Sequence, residues 1–234
     1  MQVRELKLVL LLGAVGYLPL AIGGSTLTLL IWLALVALAV GVLAGGLGLR
    51  PWPAGWAVPG SWMIALALVN SEAVRPLPTI VWGAMAWCGL FALGLALGRW
   101  RPKWAWSASA ATLAVCALAS GLLTLGGLAE GGSGGIWPAA TGALFLDLSP
   151  VAFVTECAGL DWMRHPAVYR SGGTAHMGPE VRTAWQGSLA GPGALVFGCL
   201  ALVLSRHGAR RQPWERQTDQ TPQAQNRRHK SPAE

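Results

Sequence analysis

Charge is scarce in this chain of 234 residues: Asp, Glu, Lys and Arg together make up 12% of it, and lysine occurs only at Lys7, Lys103 and Lys230. Set against 53% apolar residues and a mean hydropathy of +0.49, that leaves too few polar groups to cover a water-facing surface. An ordinary soluble domain and a disordered chain are both excluded. Four cysteines are too few for a disulfide-rich secreted module, and no glycine period supports a collagen-like repeat. No GxxxxGK[ST] phosphate loop is present, so any ATP chemistry would have to come from another chain. The long apolar runs also lack ionisable groups away from their ends, which argues against an ion-driven transporter with a carboxylate at the bilayer midplane.

What is abundant points to lipid. Thirty-one Gly, fifteen Pro and thirteen Trp suit closely packed helices anchored at membrane interfaces. A hydrocarbon layer about 30 Å thick is crossed by roughly 20 helical residues at about 1.5 Å each. Residues 27–49, 77–98 and 108–128 are uncharged apolar runs of that order, and 8–24 and 189–204 are somewhat shorter. Residues 56–69 form a sixth candidate, with Pro59 in a first helical turn and Trp56 and Trp62 suited to the interface; a re-entrant element is its alternative. The expected fold is an all-α polytopic membrane bundle of about six transmembrane helices, occupying residues 1–205, with an external segment at 129–188 before the last span.

Lys and Arg in short loops stay on the cytoplasmic side. With six spans and the N-terminus inside, that side holds Arg4, Lys7, Arg50, Arg99, Arg101, Lys103, Arg206, Arg210, Arg211, Arg216, Arg227, Arg228 and Lys230, thirteen of the seventeen basic residues. Removing the span at 56–69 would set Arg99, Arg101 and Lys103 opposite Arg50. The expected location is therefore a bacterial-type plasma (inner) membrane with both termini cytoplasmic, ending in a disordered basic tail at 206–234. The net charge of +7 follows this topology and has no recognition helix beside it, so nucleic acid is not an expected partner. Arg4 and Lys7 before an apolar stretch that ends in Ala21-Ile22-Gly23 also fit a signal peptide, which would leave the downstream orientation unchanged.

Polar side chains gather in the external segment. It opens with a Gly- and Ser-rich hinge from Glu130 to Gly135 and continues into residues 136–148, apolar but too short to cross, which read as re-entrant or interfacial. After Pro150 comes a second helical stretch at 151–163, with Val151, Phe153, Val154, Cys157 and Leu160 roughly on one side. Asp161, Arg164, His165 and Tyr169 are candidate substrate contacts; pairing of Asp161 with Arg164 on a helix surface is the plainer alternative. Cys157, His165 and His176, with Asp161 or Glu156, offer ligand atoms at spacings that match no zinc pattern, so neither a metal nor a cofactor is expected. Cys88, Cys116 and Cys199 fall inside spans, which leaves Cys157 without an external disulfide partner. The pairs Gly41/Gly45, Gly94/Gly98 and Gly187/Gly191 permit close helix approach, within the chain or between copies in a homo- or heterodimer.

Six spans, both ends inside and an external hairpin between spans five and six resemble the membrane subunits of ATP-binding-cassette exporters. The resemblance is one of topology over the whole chain. It implies half of a dimeric pore served by a separate ATP-binding subunit. The chain departs from that family in having almost no amphipathic lead-in before Leu8, and only Arg50-Pro-Trp-Pro-Ala-Gly55 between spans two and three. Glu156-Cys157-Ala158-Gly159-Leu160 resembles the cysteine motif of exosortases, multi-span transpeptidases that also need an arginine and a histidine. That likeness implies attack by Cys157 on a backbone carbonyl, proton transfer by His176, and oxyanion stabilisation by Arg170 or Arg182. In exosortases the three residues come from separate spans, whereas here they share one segment. The expected function is a non-catalytic permease-like subunit; an envelope structural or assembly protein and a thiol enzyme using Cys157 are the alternatives. If lipid is the folding solvent, extraction from membranes should require detergent. A monodisperse size-exclusion peak in surfactant-free buffer would overturn the whole assignment.

Overall fold

A computed structural model describes residues 3–23, 26–70, 77–100, 102–128, 148–159 and 187–209. These are helical, with no strand among them. In chain order the helices are α1 (Val3–Gly16), α2 (Leu18–Ala21), α3 (Thr26–Gly46), α4 (Trp56–Asn70), α5 (Leu77–Trp100), α6 (Ala105–Leu128), α7 (Pro150–Cys157) and α8 (Gly187–Ala209). Four of them contain segments long and apolar enough to cross a membrane: Thr26–Gly46, Ile80–Trp100, Pro102–Gly121 and Ser188–Arg206. Helices α1 and α4, of 14 and 15 residues, are about 21 to 23 Å long and fall short of the hydrocarbon thickness by themselves.

Local signals account for the boundaries. At the end of α3, Gly48 adopts φ +78 and the Leu49 N–H returns to the Ala44 carbonyl at 3.0 Å, a closure that a left-handed glycine allows. The apolar run expected as one helix at 8–24 is two: α1 begins earlier, at Val3, and the chain turns at Tyr17 before Pro19 opens α2. At the other end, α8 runs to Ala209, so the first residues of the expected tail are helical. Residues 210–234, and residues 129–147 and 160–186 of the segment expected to be external, lie outside the described residues.

Contacts along the helices define their directions. Gly94 meets the Leu38 carbonyl and Gly98 that of Val42, so α3 and α5 run parallel. Gly191 meets Trp82 and Gly198 meets Gly89, making α8 parallel to α5 as well. Helix α6 opposes α3, with Ala105 against Gly46 and the Ser109 hydroxyl donating to the Ala39 carbonyl at 2.8 Å. Helix α1 also opposes α3: Glu5 pairs with Arg50 just beyond α3 at 3.3 Å, while Trp32 Nε1 donates to the Val15 carbonyl at 2.8 Å. Helix α4 opposes α5, because Gly55 lies against Leu95 whereas Trp62 stacks near Trp87 and Phe91 at 5.6 and 5.8 Å between ring centroids. Helices α1, α3, α4, α5, α6 and α8 therefore alternate in direction.

One end of the bundle gathers Arg4, Lys7, Arg50, Arg99, Lys103 and Arg206, which are all the Lys and Arg among the described residues. Trp52, Trp100, Trp104 and Trp106 are exposed at this same basic end, as an interfacial aromatic belt would be. Trp62, expected at an interface, is instead fully buried: its Nε1 donates to the Gly13 carbonyl at 2.9 Å, and the Tyr17 hydroxyl donates to the Ser61 carbonyl at 2.6 Å. The reason is that α1 lies across α4 and supplies acceptors that no local pattern reveals. Leaving that buried indole N–H unpaired would cost about 1–3 kcal/mol.

Helices α3 and α5 form the centre, with 61% of their spanning windows buried, against 11% for α6 and 17% for α8. Glycine creates that centre. A Cβ at Gly41, Gly45, Gly94 or Gly98 would meet a backbone carbonyl of the facing helix, as would one at Gly89, Gly191 or Gly198 between α5 and α8. These glycines, including Gly41/Gly45 and Gly94/Gly98, pack helices within one chain. Gly98→Val should therefore lower the melting temperature in detergent, by the equivalent of about 1–3 kcal/mol or more of overpacking. Gly60→Ala, where nothing lies within 4 Å, should be neutral or slightly stabilising in the same thermal scan.

Candidate functional site

Within the segment expected to be external, the structure describes a short helix, α7. Ser149-Pro150 starts it: the Ser149 hydroxyl accepts from the Ala152 N–H at 3.3 Å, and Pro150 occupies the first helical position, where no N–H is needed. Gly159, at φ +63, ends it, its N–H reaching the Glu156 carbonyl at 2.9 Å. Sequence patterning suggests a helix amphipathic on one side, lying on the outside. In the structure Val151, Ala152, Val154, Thr155 and Cys157 are all buried, because α7 is packed against α3, α5, α6 and α8 in the half of the bundle away from the basic end. Burial of Thr155 is tolerated since its hydroxyl donates to the Val151 carbonyl at 2.7 Å.

Depth follows from the neighbours. Gly83, near the start of α5, accommodates Ala158 and the Val154 carbonyl. The first residues of α7 reach further in. The Ser149 hydroxyl lies 2.9 Å from that of Ser120 in α6, and Ser149, Pro150 and Phe153 face Leu38 and Leu90, near the middle of α3 and α5. Together with Val115, the residues Leu38, Leu90, Ser149, Pro150 and Phe153 wall a groove of about 480 Å³, apolar apart from the Ser149 hydroxyl and the Cys116 thiol. Such a lining suits an apolar guest and offers no charge to an ionic one. The Ser-Pro pair is a helix-start signal readable in the sequence; the partnership of Ser149 with Ser120, 29 positions away, is not.

Three residues of the cysteine motif, Cys157, Ala158 and Gly159, have packing tasks here, and Leu160 lies outside the described residues. Cys157 is 1% exposed, Ala158 fits against Gly83, and Gly159 supplies the left-handed terminus. Burial, and secondarily the neighbouring Glu156 carboxylate, push the Cys157 thiol up to about 12, so it stays protonated throughout the physiological range. Its surroundings fit a Cys on the buried side of a short helix, and they offer a thiol without the accessible thiolate that nucleophilic attack needs. Arg170, His176 and Arg182, the other members of the expected catalytic group, lie outside the described residues, as do Asp161, Arg164, His165 and Tyr169. Among the described residues no three His, Cys, Asp or Glu side chains gather as a metal site would require.

Comparison of the chain with protein-family models, curated proteins and solved structures returned no match.

In a variant retaining Cys157 as its sole cysteine, a small maleimide should leave the folded protein unlabelled and react after denaturation. The rise from 9.0 to about 12 alone reduces the thiolate at neutral pH by about a thousandfold. Mass spectrometry of the labelled protein checks this, and rapid modification in the folded state at pH 7 would contradict the burial.

Proposed function

We propose that this protein is a six-crossing subunit of a bacterial-type plasma (inner) membrane, with both termini cytoplasmic, acting as the non-catalytic, permease-like partner of a separate ATP-binding chain. One observation carries the proposal: six helices alternate in direction, and all the described Lys and Arg collect at one end. Retention of basic residues on the cytoplasmic side supplies the orientation. Helices α1 and α4 count as crossings because each bridges ends that their longer neighbours define, and a bilayer thins or flanking residues reach outward around a short helix. A mechanism without chemistry of its own is supported by the burial and protonation of Cys157.

A specific observation favours a second version, an envelope assembly subunit that binds without turnover. The helical connections at the basic end, Pro51–Gly55 and Pro102–Trp104, are five and three residues long, and the first packs against α1 and α4 while Arg50 is held by Glu5. Among the described residues that leaves little protruding chain for an ATPase to grip. Purification in mild detergent separates the two: the permease version predicts a co-purifying nucleotide-binding chain with ATP hydrolysis activity. Its absence from repeated preparations leaves only the assembly version. A fluorescent protein fused after the last residue should fluoresce and an alkaline phosphatase fused there should be inactive; the reverse pattern would overturn the orientation.

A further inference from the structure

We infer that α1 is a signal anchor, a helix that directs the chain into the membrane and then stays in the bundle as a permanent member. Arg4 and Lys7 lie in its first turns, at the basic end, ahead of an uncharged run that starts at Leu8, which is the arrangement an insertion signal requires. A removable leader of the same pattern departs without taking packing with it. Helix α1 cannot do so, because Val9 and Leu12 are buried in the same core as Trp62 and Leu66 of α4 and Leu33 of α3.

Polar groups fasten the helix at both ends. The last carbonyls of a helix have no partner within it, and here the Tyr17 N–H turns back to that of Ala14 at 3.0 Å. Two indoles from other helices take up two of the others: Trp62 Nε1 of α4 donates to the Gly13 carbonyl at 2.9 Å, and Trp32 Nε1 of α3 to the Val15 carbonyl at 2.8 Å. Gly16 makes room for this, since a Cβ there would overlap the Trp62 ring. At the other end the buried Glu5 pairs with Arg50 at 3.3 Å. Loss of α1 would strip both indoles of these acceptors, Trp62 with no exposed surface, and deprive Arg50 of that carboxylate. Ala21-Ile22-Gly23, the small-residue stretch that fits a cleavage site, lies at the end of α2 with Ile22 81% exposed, so retention rests on these contacts and not on concealment. Membership of α1 in the bundle deepens the six-crossing reading, on which it rests, and needs no ATP-binding chain. Removal of α1 would leave five spans with the C-terminus still cytoplasmic, so neither the C-terminal fusions nor the search for a nucleotide-binding partner would change with it.

Intact-mass spectrometry and N-terminal sequencing of the full chain, purified from membranes in detergent through a C-terminal tag, test this. The N-terminus should lie ahead of Val3, and a chain that begins at Gly24 would overturn the anchor. A specific protease site placed after Gly23, where φ is +72 and nothing lies within 4 Å, then allows α1 to be cut from the folded protein. The cut segment should co-elute with the rest on size exclusion. Trp62→Phe, which keeps an aromatic ring and removes the N–H, should increase its release by about tenfold, whereas Trp106→Phe, at an exposed position, should not. Separate elution of the cut segment from the unsubstituted chain, or equal release from the two variants, would also overturn it.

Discussion

Backbone approach at glycine sets the positions of nearly everything else in this protein. Along one side of α5, Gly94 and Gly98 take the carbonyls of α3; along another, Gly89 does the same for α8. In lipid there is little hydrophobic gain from bringing apolar helices together, so contact area and weak Cα–H···O interactions have to supply the attraction. Glycine makes both available by removing the atom that would hold the helices apart. Helices α3 and α5 thereby become the buried centre, and the larger side chains of α6 and α8 are left to face outward.

With three helices held so closely, the half of the bundle away from the basic end has room for α7 between α3, α5, α6 and α8. A short helix placed there must satisfy its own polar groups, and α7 does so by a serine cap, a proline start, a threonine bonded back to its own turn and a glycine end. The same enclosure decides the chemistry of Cys157. A thiol surrounded by apolar helices is pushed towards keeping its proton.

The two ends of the bundle differ in kind. The basic end joins exposed tryptophans with cations, one of which, Arg50, is matched by the Glu5 carboxylate. The helical connections described there, Pro51–Gly55 and Pro102–Trp104, are short. The opposite half is arranged around α7, whose Ser149 hydroxyl meets that of Ser120 at 2.9 Å.

Helical class, the position of the long apolar runs and the gathering of Lys and Arg at one end were legible in the amino-acid order, because hydropathy and the length needed to cross lipid are properties of a contiguous segment. The expected runs at 27–49, 77–98, 108–128 and 189–204 fall on α3, α5, α6 and α8 to within a few residues. Burial of Trp62 was not legible, since its acceptor is the Gly13 carbonyl 49 positions away, nor was the insertion of α7, whose pattern looks one-sided until four helices surround it. The apolar side on which the sequence sets Cys157 is indeed buried, and the enclosing helices supply its neighbours. Composition decides which solvent a segment prefers; which neighbours replace that solvent depends on contacts between distant segments, and those exist only once the chain has packed.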